Sequence, residues 1–231
     1  CVKCHAVDGV PGYDAAADTV ASTVAELGIA CEACHGPAEE HVALDVHTED
    51  LKIVNPSKIA PKRSAEICGQ CHSVFQFHTP EESRNRLVRG MRFRPGDILA
   101  DTRLIVTREK FEHPQVRSVI EQMPIFLESH FWPDGMVRLS GREYNGLIES
   151  PCYQHDDETR TLTCLSCHNM HSSKDDSRPL DEWADDTLKP GMRSNLACVQ
   201  CHTEYNDNQQ LVRHTHHEAD SSGSNCYNCH M

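Results

Sequence analysis

Long apolar runs are absent from this sequence. No stretch among its 231 residues approaches the roughly 20 apolar residues that a membrane-spanning helix needs. Hydrophobic residues are scarce overall, at 38% against roughly 45–50% in ordinary globular domains, and aromatics make up only 6%. Side chains alone would build a thin core, so something else is expected to fill the interior. Basic residues also fall short: 22 Lys and Arg face 35 Asp and Glu, a net charge of −13. That deficit argues against nucleic acid as a partner, because its phosphates demand neutralisation by Lys and Arg.

Cysteine, by contrast, is abundant. Twelve of the 13 cysteines fall into six Cys-x-x-Cys pairs, each followed at once by His. In chain order, motif I is Cys1-Cys4-His5, motif II Cys31-Cys34-His35, and motif III Cys68-Cys71-His72. Motif IV is Cys164-Cys167-His168, motif V Cys198-Cys201-His202, and motif VI Cys226-Cys229-His230. Zinc ribbons, thioredoxin-like redox sites and disulfide frameworks also use Cys-x-x-Cys, but none of them requires His directly afterwards. With 16 His in the chain, six such placements by chance have a probability of roughly 10⁻⁷. The pattern reads as covalent attachment of heme c at six sites. Two thiols at this spacing bond the two vinyl groups of one porphyrin, and the adjacent imidazole reaches the iron as proximal ligand. The odd cysteine, Cys152, is expected to be a buried thiol packed in the middle of the chain, with an iron ligand or an external pairing as alternatives.

Successive motifs begin 30, 37, 96, 34 and 28 residues apart. Two triplets of heme sites, 1–78 and 161–231, therefore flank an insertion over 79–160, all expected to pack as one heme-filled unit. The chain opens on a motif cysteine and closes directly after the last motif, so it reads as a segment of a longer protein. Local signals predict a mainly α fold with much irregular loop and a small β element in the insertion. Ala-rich residues 14–27 predict a helix stopped by Gly28. Thr79-Pro80-Glu81-Glu82 reads as a capping box with Pro at the first helical position, starting a helix toward Gly90. A helix is expected over 116–130 with a break at Pro124, a short one capped by Ser194 through Cys198, and another over 208–217. Residues 98–107 and 136–139 look strand-like, and Trp132-Pro133-Asp134-Gly135 is a strong turn.

Six His are used as proximal ligands, leaving His41, His47, His78, His113, His130, His155, His171, His214, His216 and His217. Electron-transfer hemes take a second axial ligand, His or Met. His41 and His171 lie close behind proximal His35 and His168, so each is placed to cap a neighbouring heme rather than its own. On a helix, 214 and 217 share a face while 216 points away, which favours His214 and His217. His130 and His155 are weaker distal candidates, His47, His78 and His113 are read as unligated, and the six Met as core fillers.

Several stretches resemble known families. Cys31-Glu-Ala-Cys-His-Gly-Pro-Ala-Glu-Glu-His41 resembles a segment of multiheme cytochromes found in the family of the tetraheme electron acceptor of hydroxylamine oxidoreductase. Gly141-Arg-Glu-Tyr-Asn-Gly-Leu-Ile-Glu-Ser-Pro-Cys152, Cys164-Leu-Ser-Cys-His-Asn-Met-His171 and the ending from His214 to Met231 resemble multiheme cytochromes linked to tetratricopeptide repeats. The resemblance implies a multiheme cytochrome c fold organised by closely stacked hemes, export across a membrane before heme attachment, and His41, His171, His214 and His217 as distal ligands. Six motifs depart from the tetraheme pattern, so that family's specific partner does not carry over.

The function expected from this reading is electron transfer through a chain of closely spaced, mostly bis-His hemes, periplasmic or extracellular. Other redox proteins, or further copies of the chain in an oligomer or filament, are the expected partners. The alternative is a multiheme oxidoreductase acting on a small nitrogen or sulfur compound at a five-coordinate heme, with the surroundings of His113, His130, Tyr144 and His155 as the place to look. A purely structural heme scaffold ranks last.

Overall fold

The computed structural model describes residues 2–44, 49–174 and 176–230; Cys1 and His47 lie outside these ranges. The chain forms two compact units, one ending at Thr163 and the other starting at Cys164. It is mainly helical with much irregular loop, and its sheets, among the described residues, are three short two-stranded pieces.

The first unit departs from expectation at once. Residues 14–27 form no helix. β2 (Tyr13–Asp14) pairs antiparallel with β3 (Thr19–Val20), and β1 (Ala6–Val7) with β4 (Glu26–Leu27), Ala6 opposite Leu27. The cause is local. The Asp14 carboxylate accepts the amides of Ala16 and Ala17 at 2.8 and 3.3 Å, which closes a turn, and Asp18 adopts φ 50. An Asp side chain that captures nearby amides offers the backbone an alternative to helix, and the β-branched run after it suits strands. Val20 and Leu27 stay exposed, so no apolar face was available to hold a helix.

Motif II is itself the helix α1 (Cys31–His35), followed by the short α2 (Glu39–Val42). Motif III begins at the end of α3 (Pro61–Gly69), whose Ala65 and Ile67 are buried. Half of the capping box appears: the Thr79 hydroxyl accepts the Glu82 amide, while Glu82 Oε2 is buried without a hydrogen-bond partner, and α4 (Pro80–Arg89) ends at Gly90 with φ 77. The predicted strand over 98–107 shrinks to β6 (Leu104–Ile105), paired with β5 (Phe75–Gln76), because a 3-10 turn takes Leu99–Asp101. The predicted break at Pro124 separates α5 (Pro114–Gln122) from α6 (Phe126–His130). The Trp132–Gly135 turn is present, closed by Gly135 N–H donating to Trp132 O at 2.9 Å, and the strand-like stretch after it makes a single bridge, Phe131 to Val137.

Two apolar clusters hold this unit. Ala65, Ile67, Phe93, Leu99, Tyr144 and Tyr153 form one, and Val74, Val106, Val116, Phe126, Phe131 and Val137 the other. The fully buried Asn145 of α7 (Glu143–Glu149) serves the second by accepting Val74 N–H at 2.8 Å and donating to Val74 O and Val106 O at 3.2 and 2.6 Å. Cys152 is exposed, against the expectation of a buried thiol. The short α8 (Pro151–Gln154) turns Tyr153 into the core, which leaves its neighbour facing out.

The second unit is leaner. It contains α9 (Cys164–Cys167), α10 (Leu180–Asp186), α11 (Leu196–Val199), α12 (Asn208–Thr215) and α13 (Tyr227–His230). Among its described residues, the buried hydrophobics are Met192, Val199 and Leu211. Asn195 stands at the N-cap of α11, and Ser194 serves the same end by accepting the Leu196 amide at 3.3 Å. Asp207 caps α12, which ends at Thr215; His216 turns left-handed, with φ 61. The expected sharing of a helix face by His214 and His217 therefore fails, since His217 lies past the helix end.

Candidate heme-binding sites

A Cys-x-x-Cys-His segment wound as one helical turn puts positions i, i+3 and i+4 on a single face. The chain does this repeatedly. The proximal His amide donates to the carbonyl of its motif's first Cys in motif III (His72 to Cys68, 3.0 Å), motif IV (His168 to Cys164, 2.8 Å), motif V (His202 to Cys198, 3.0 Å) and motif VI (His230 to Cys226, 3.0 Å). Motif II has the same turn as α1, closed by Gly36 at φ 83. Cys4 and His5 of motif I instead lead through a turn into β1. Two sulfurs and an imidazole along one edge suit a flat macrocycle bonded at two adjacent substituents. Among the described residues, no three His, Cys, Asp or Glu side chains gather as one metal site. All described cysteines are free of disulfides.

The imidazoles carry a second signal. A carbonyl oxygen only accepts, so a ring nitrogen bonded to it must carry the proton, and the other nitrogen keeps its lone pair for a metal. His35 Nδ1–H donates to Val54 O at 2.6 Å and His168 Nδ1–H to Asp186 O at 3.0 Å. His72 Nδ1–H donates to the Glu143 carboxylate at 2.9 Å, and that hydrogen bond holds the His72 pKa above its ordinary value. Each of these proximal rings keeps Nε2 available.

The same criterion sorts the spare histidines. His41 Nδ1–H donates to Leu51 O at 2.8 Å, and His130 Nδ1–H donates to Phe126 O at 2.8 Å, so both present Nε2 as the proximal rings do. His155 has neither nitrogen to offer, because Nε2–H donates to Arg160 O at 3.2 Å while Nδ1 accepts the Asp157 amide at 3.1 Å. His78 uses Nε2–H on Ala100 O at 2.7 Å, and His113 uses Nδ1 to accept the Gln115 amide at 3.3 Å. His171 sits exposed in the bend after motif IV. His217 packs against Gly223, where an added Cβ would fall 2.4 Å from its ring. His214 stacks on Tyr205, with ring centroids 4.6 Å apart, and lies parallel to the proximal ring of His230, at 5.9 Å and an interplanar angle of 5°.

Other residues bring the motifs together, and these the sequence reading missed. The Cys4 thiol is hydrogen-bonded to Cys71; this bond first, with Lys3 helping, lowers the Cys4 pKa to about 6, while the partner thiol of Cys71 is pushed up. Cys34 is raised by burial, with Cys68 adding to the effect. Arg103, 1% exposed, lies over the Phe75 ring at 4.5 Å and donates to Gln70 O at 2.9 Å; burial lowers its pKa to about 10. Lys3 covers the same Phe75 ring at 3.9 Å. In the second unit, Lys189 Nζ donates to Leu165 O inside motif IV at 2.6 Å, and Tyr227 OH donates to Met192 O at 2.7 Å. One available signal was Gln at the same position in motifs III and V, Cys-x-Gln-Cys-His.

The polypeptide exposes more surface than compact chains of its mass do. It exposes 15124 Å², whereas a 26.0 kDa chain exposes about 10,500 Å² as one compact unit, or about 12,500 Å² as two. The excess of roughly 2,600–4,600 Å² includes large apolar side chains such as Val42, Ile29, Met170 and Leu196. Three of these stand within a few residues of a motif.

No family model matches the sequence, and no curated protein matches it. Among solved structures the chain is similar to the crystal structure of the outer cell wall cytochrome OcwA, with 21% identity and a TM-score of 0.52. The match covers 90% of this chain and 44% of that one, so the chain spans less than half the length of that cytochrome. The likeness is one of fold: the two chains share a helical, loop-rich architecture.

Proposed function

We propose that the chain is a hexaheme c-type cytochrome whose sites are built to pass electrons rather than to bind a substrate at iron. When bound, heme c supplies a one-electron ferric/ferrous couple at each motif. The observation that carries the proposal is the pairing of His214 with His230. Two imidazoles that share one metal keep their rings about 6 Å apart, since each metal–nitrogen bond is about 2 Å long. The two rings stand 5.9 Å apart and parallel. His214 and His230 would then be the two residues that hold the heme iron at motif VI, with Tyr205 keeping His214 in place by stacking.

His41 and His130 support the same reading elsewhere, since each holds its proton on Nδ1 and keeps Nε2 available. His171 and His217 remain proposed distal ligands on position and resemblance. With about 38 residues per site, neighbouring sites lie close together, as electron hopping requires. The reading extends to export, in keeping with the outer cell wall cytochrome of similar fold, and to partners with basic docking patches, or further copies of the chain, met through an acidic surface.

One feature favours the alternative, a reductase or oxidase of a small nitrogen or sulfur compound. A cavity of about 400 Å³ near motif III is lined by Glu66, His78, Arg103, Lys110 and Tyr144, a set able to bind an anion and move protons. Electron paramagnetic resonance of the oxidised holoprotein separates the two. Low-spin ferric signals alone are expected; a stoichiometric high-spin heme that binds nitrite, hydroxylamine or nitric oxide overturns the carrier assignment.

A further inference from the structure

One buried cation of the first unit lacks a counter-charge. Arg103 is 1% exposed, yet among the described residues no carboxylate pairs with it. The β5–β6 pairing sets Phe75 opposite Ile105, and Arg103 and Phe77, each two residues along, fall on the same side by the alternation of extended backbone. The Arg103 guanidinium lies 4.5 Å from the Phe75 centroid and 5.9 Å from that of Phe93. Of its five N–H groups, Nε donates to Thr102 Oγ1 at 3.3 Å and one on Nη1 donates to Gln70 O at 2.9 Å. The others have no acceptor among the described residues.

Two more cations gather at the same rings. Lys3 Nζ lies 3.9 Å from the Phe75 centroid and the Arg86 guanidinium 5.6 Å from that of Phe77, and the two rings meet edge to face at 5.5 Å. None of the three cations forms an ion pair among the described residues, and Arg86 Nε is buried with no hydrogen-bond partner. Glu82, one turn before Arg86 on α4, does not neutralise it, since Glu82 Oε2 is buried without a partner too. Phenyl faces attract cations weakly, whereas taking a charge out of water costs far more, and like charges held together add to that cost. Three cations on two rings therefore call for an anion. Arg103 also lines the cavity of about 400 Å³ near motif III, which leaves it open to a ligand from that side.

We propose that Arg103, Lys3 and Arg86 form an oxyanion site, anchored by the buried Arg103, that takes a carboxylate or a phosphate-like ion. Two sources offer that chemistry. One is a heme propionate, which rests on the proposed heme attachment; the other is a free anion from solvent.

Holoprotein labelled with carbon-13 at the heme carboxyls, studied by NMR in the fully reduced, diamagnetic state, tests the first source. One propionate signal is expected to hold its ionised position as pH falls from about 8 to 4, where ordinary carboxyls begin to protonate. Arg103→Leu should release it to titrate with the others, and Arg103→Lys should hold it. Arg86→Gln, at a half-buried helix position, should move its midpoint toward theirs, and reads the site even where Arg103→Leu fails to fold. Equilibrium dialysis with inorganic phosphate tests the second source. One phosphate bound per chain, lost in Arg103→Leu and weakened in Arg86→Gln, with every propionate titrating in the ordinary range, assigns the site to a free anion. Propionates that all titrate together, with phosphate unbound or bound equally by the variants, overturn the proposal. Protein without covalently bound heme overturns the parent reading instead, and phosphate binding alone then decides this one.

Discussion

Removing one attachment site from the second unit is expected to unfold that unit and leave the first standing. Its described residues bury three large hydrophobic side chains, Met192, Val199 and Leu211, which together stabilise it by about 5–9 kcal/mol. Among the described residues the first unit buries fourteen hydrophobic residues, twelve of them in the two clusters, worth about 20–40 kcal/mol on the same scale. The excess polypeptide surface, shared over six sites, is about 400–750 Å² each. If half of that is apolar, covering it contributes about 5–10 kcal/mol per site. Loss of one site therefore removes as much as the second unit's own buried side chains supply. Replacing Cys198 and Cys201 with Ser deletes site V, and hydrogen exchange followed by mass spectrometry reads the result. Amides of residues 164–230 should exchange about a thousandfold faster or more, since each 1.4 kcal/mol lost is tenfold. Amides near Ala65, Leu99 and Val106 should keep their protection. Unchanged protection over 164–230 would refute the reasoning, because that unit would then be held by contacts other than its hemes.

Further outcomes follow from single residues. Asn145→Ala strands Val74 N–H and Val106 O in a dry core and should cost about 2–4 kcal/mol of stability, measured by denaturant unfolding of the holoprotein. Replacing His41 or His130 by Ala should each convert one low-spin heme to high spin in the paramagnetic resonance spectrum, whereas His155→Ala should change nothing there, its two ring nitrogens being already bonded. His214→Ala should do the same at the site of His230; low-spin signals that persist in full would remove the axial pairing. Reduction by a small basic redox protein should slow steeply as salt rises from about 0.01 to 0.15 M, because a net charge of −13 steers the encounter over a Debye length that shrinks from about 30 to 8 Å.

The Cys-x-x-Cys-His motifs were legible in the sequence because they repeat fixed residue types at fixed spacing, and in motifs II to VI that spacing appears as one helical turn. The Thr79 cap, the Pro124 break and the Trp132–Gly135 turn were equally legible, each being set by a side chain or ring acting on its own backbone. Residues 14–27 were misread because alanine content speaks for a helix only where some face can be buried, and here the Asp14 turn and exposed Val20 leave none. The His214–His217 pairing failed for a similar reason: helix periodicity held only to Thr215, and nothing in the local pattern gave away the left-handed residue at 216. The proton positions that separate His130 from His155 depend on carbonyls brought by distinct turns, which spacing does not encode. Gln70 was visible inside motif III, but its partner in motif II, Ala33 O, belongs to tertiary structure.

The central claim, six hemes covalently held by this chain, is tested most directly by treating the purified protein with acid and organic solvent and then weighing the polypeptide by mass spectrometry. The expected result is a pigment that stays with the protein and a mass equal to the 26.0 kDa chain plus six hemes. A pigment that passes into the organic layer, or a polypeptide at its bare mass, would contradict it.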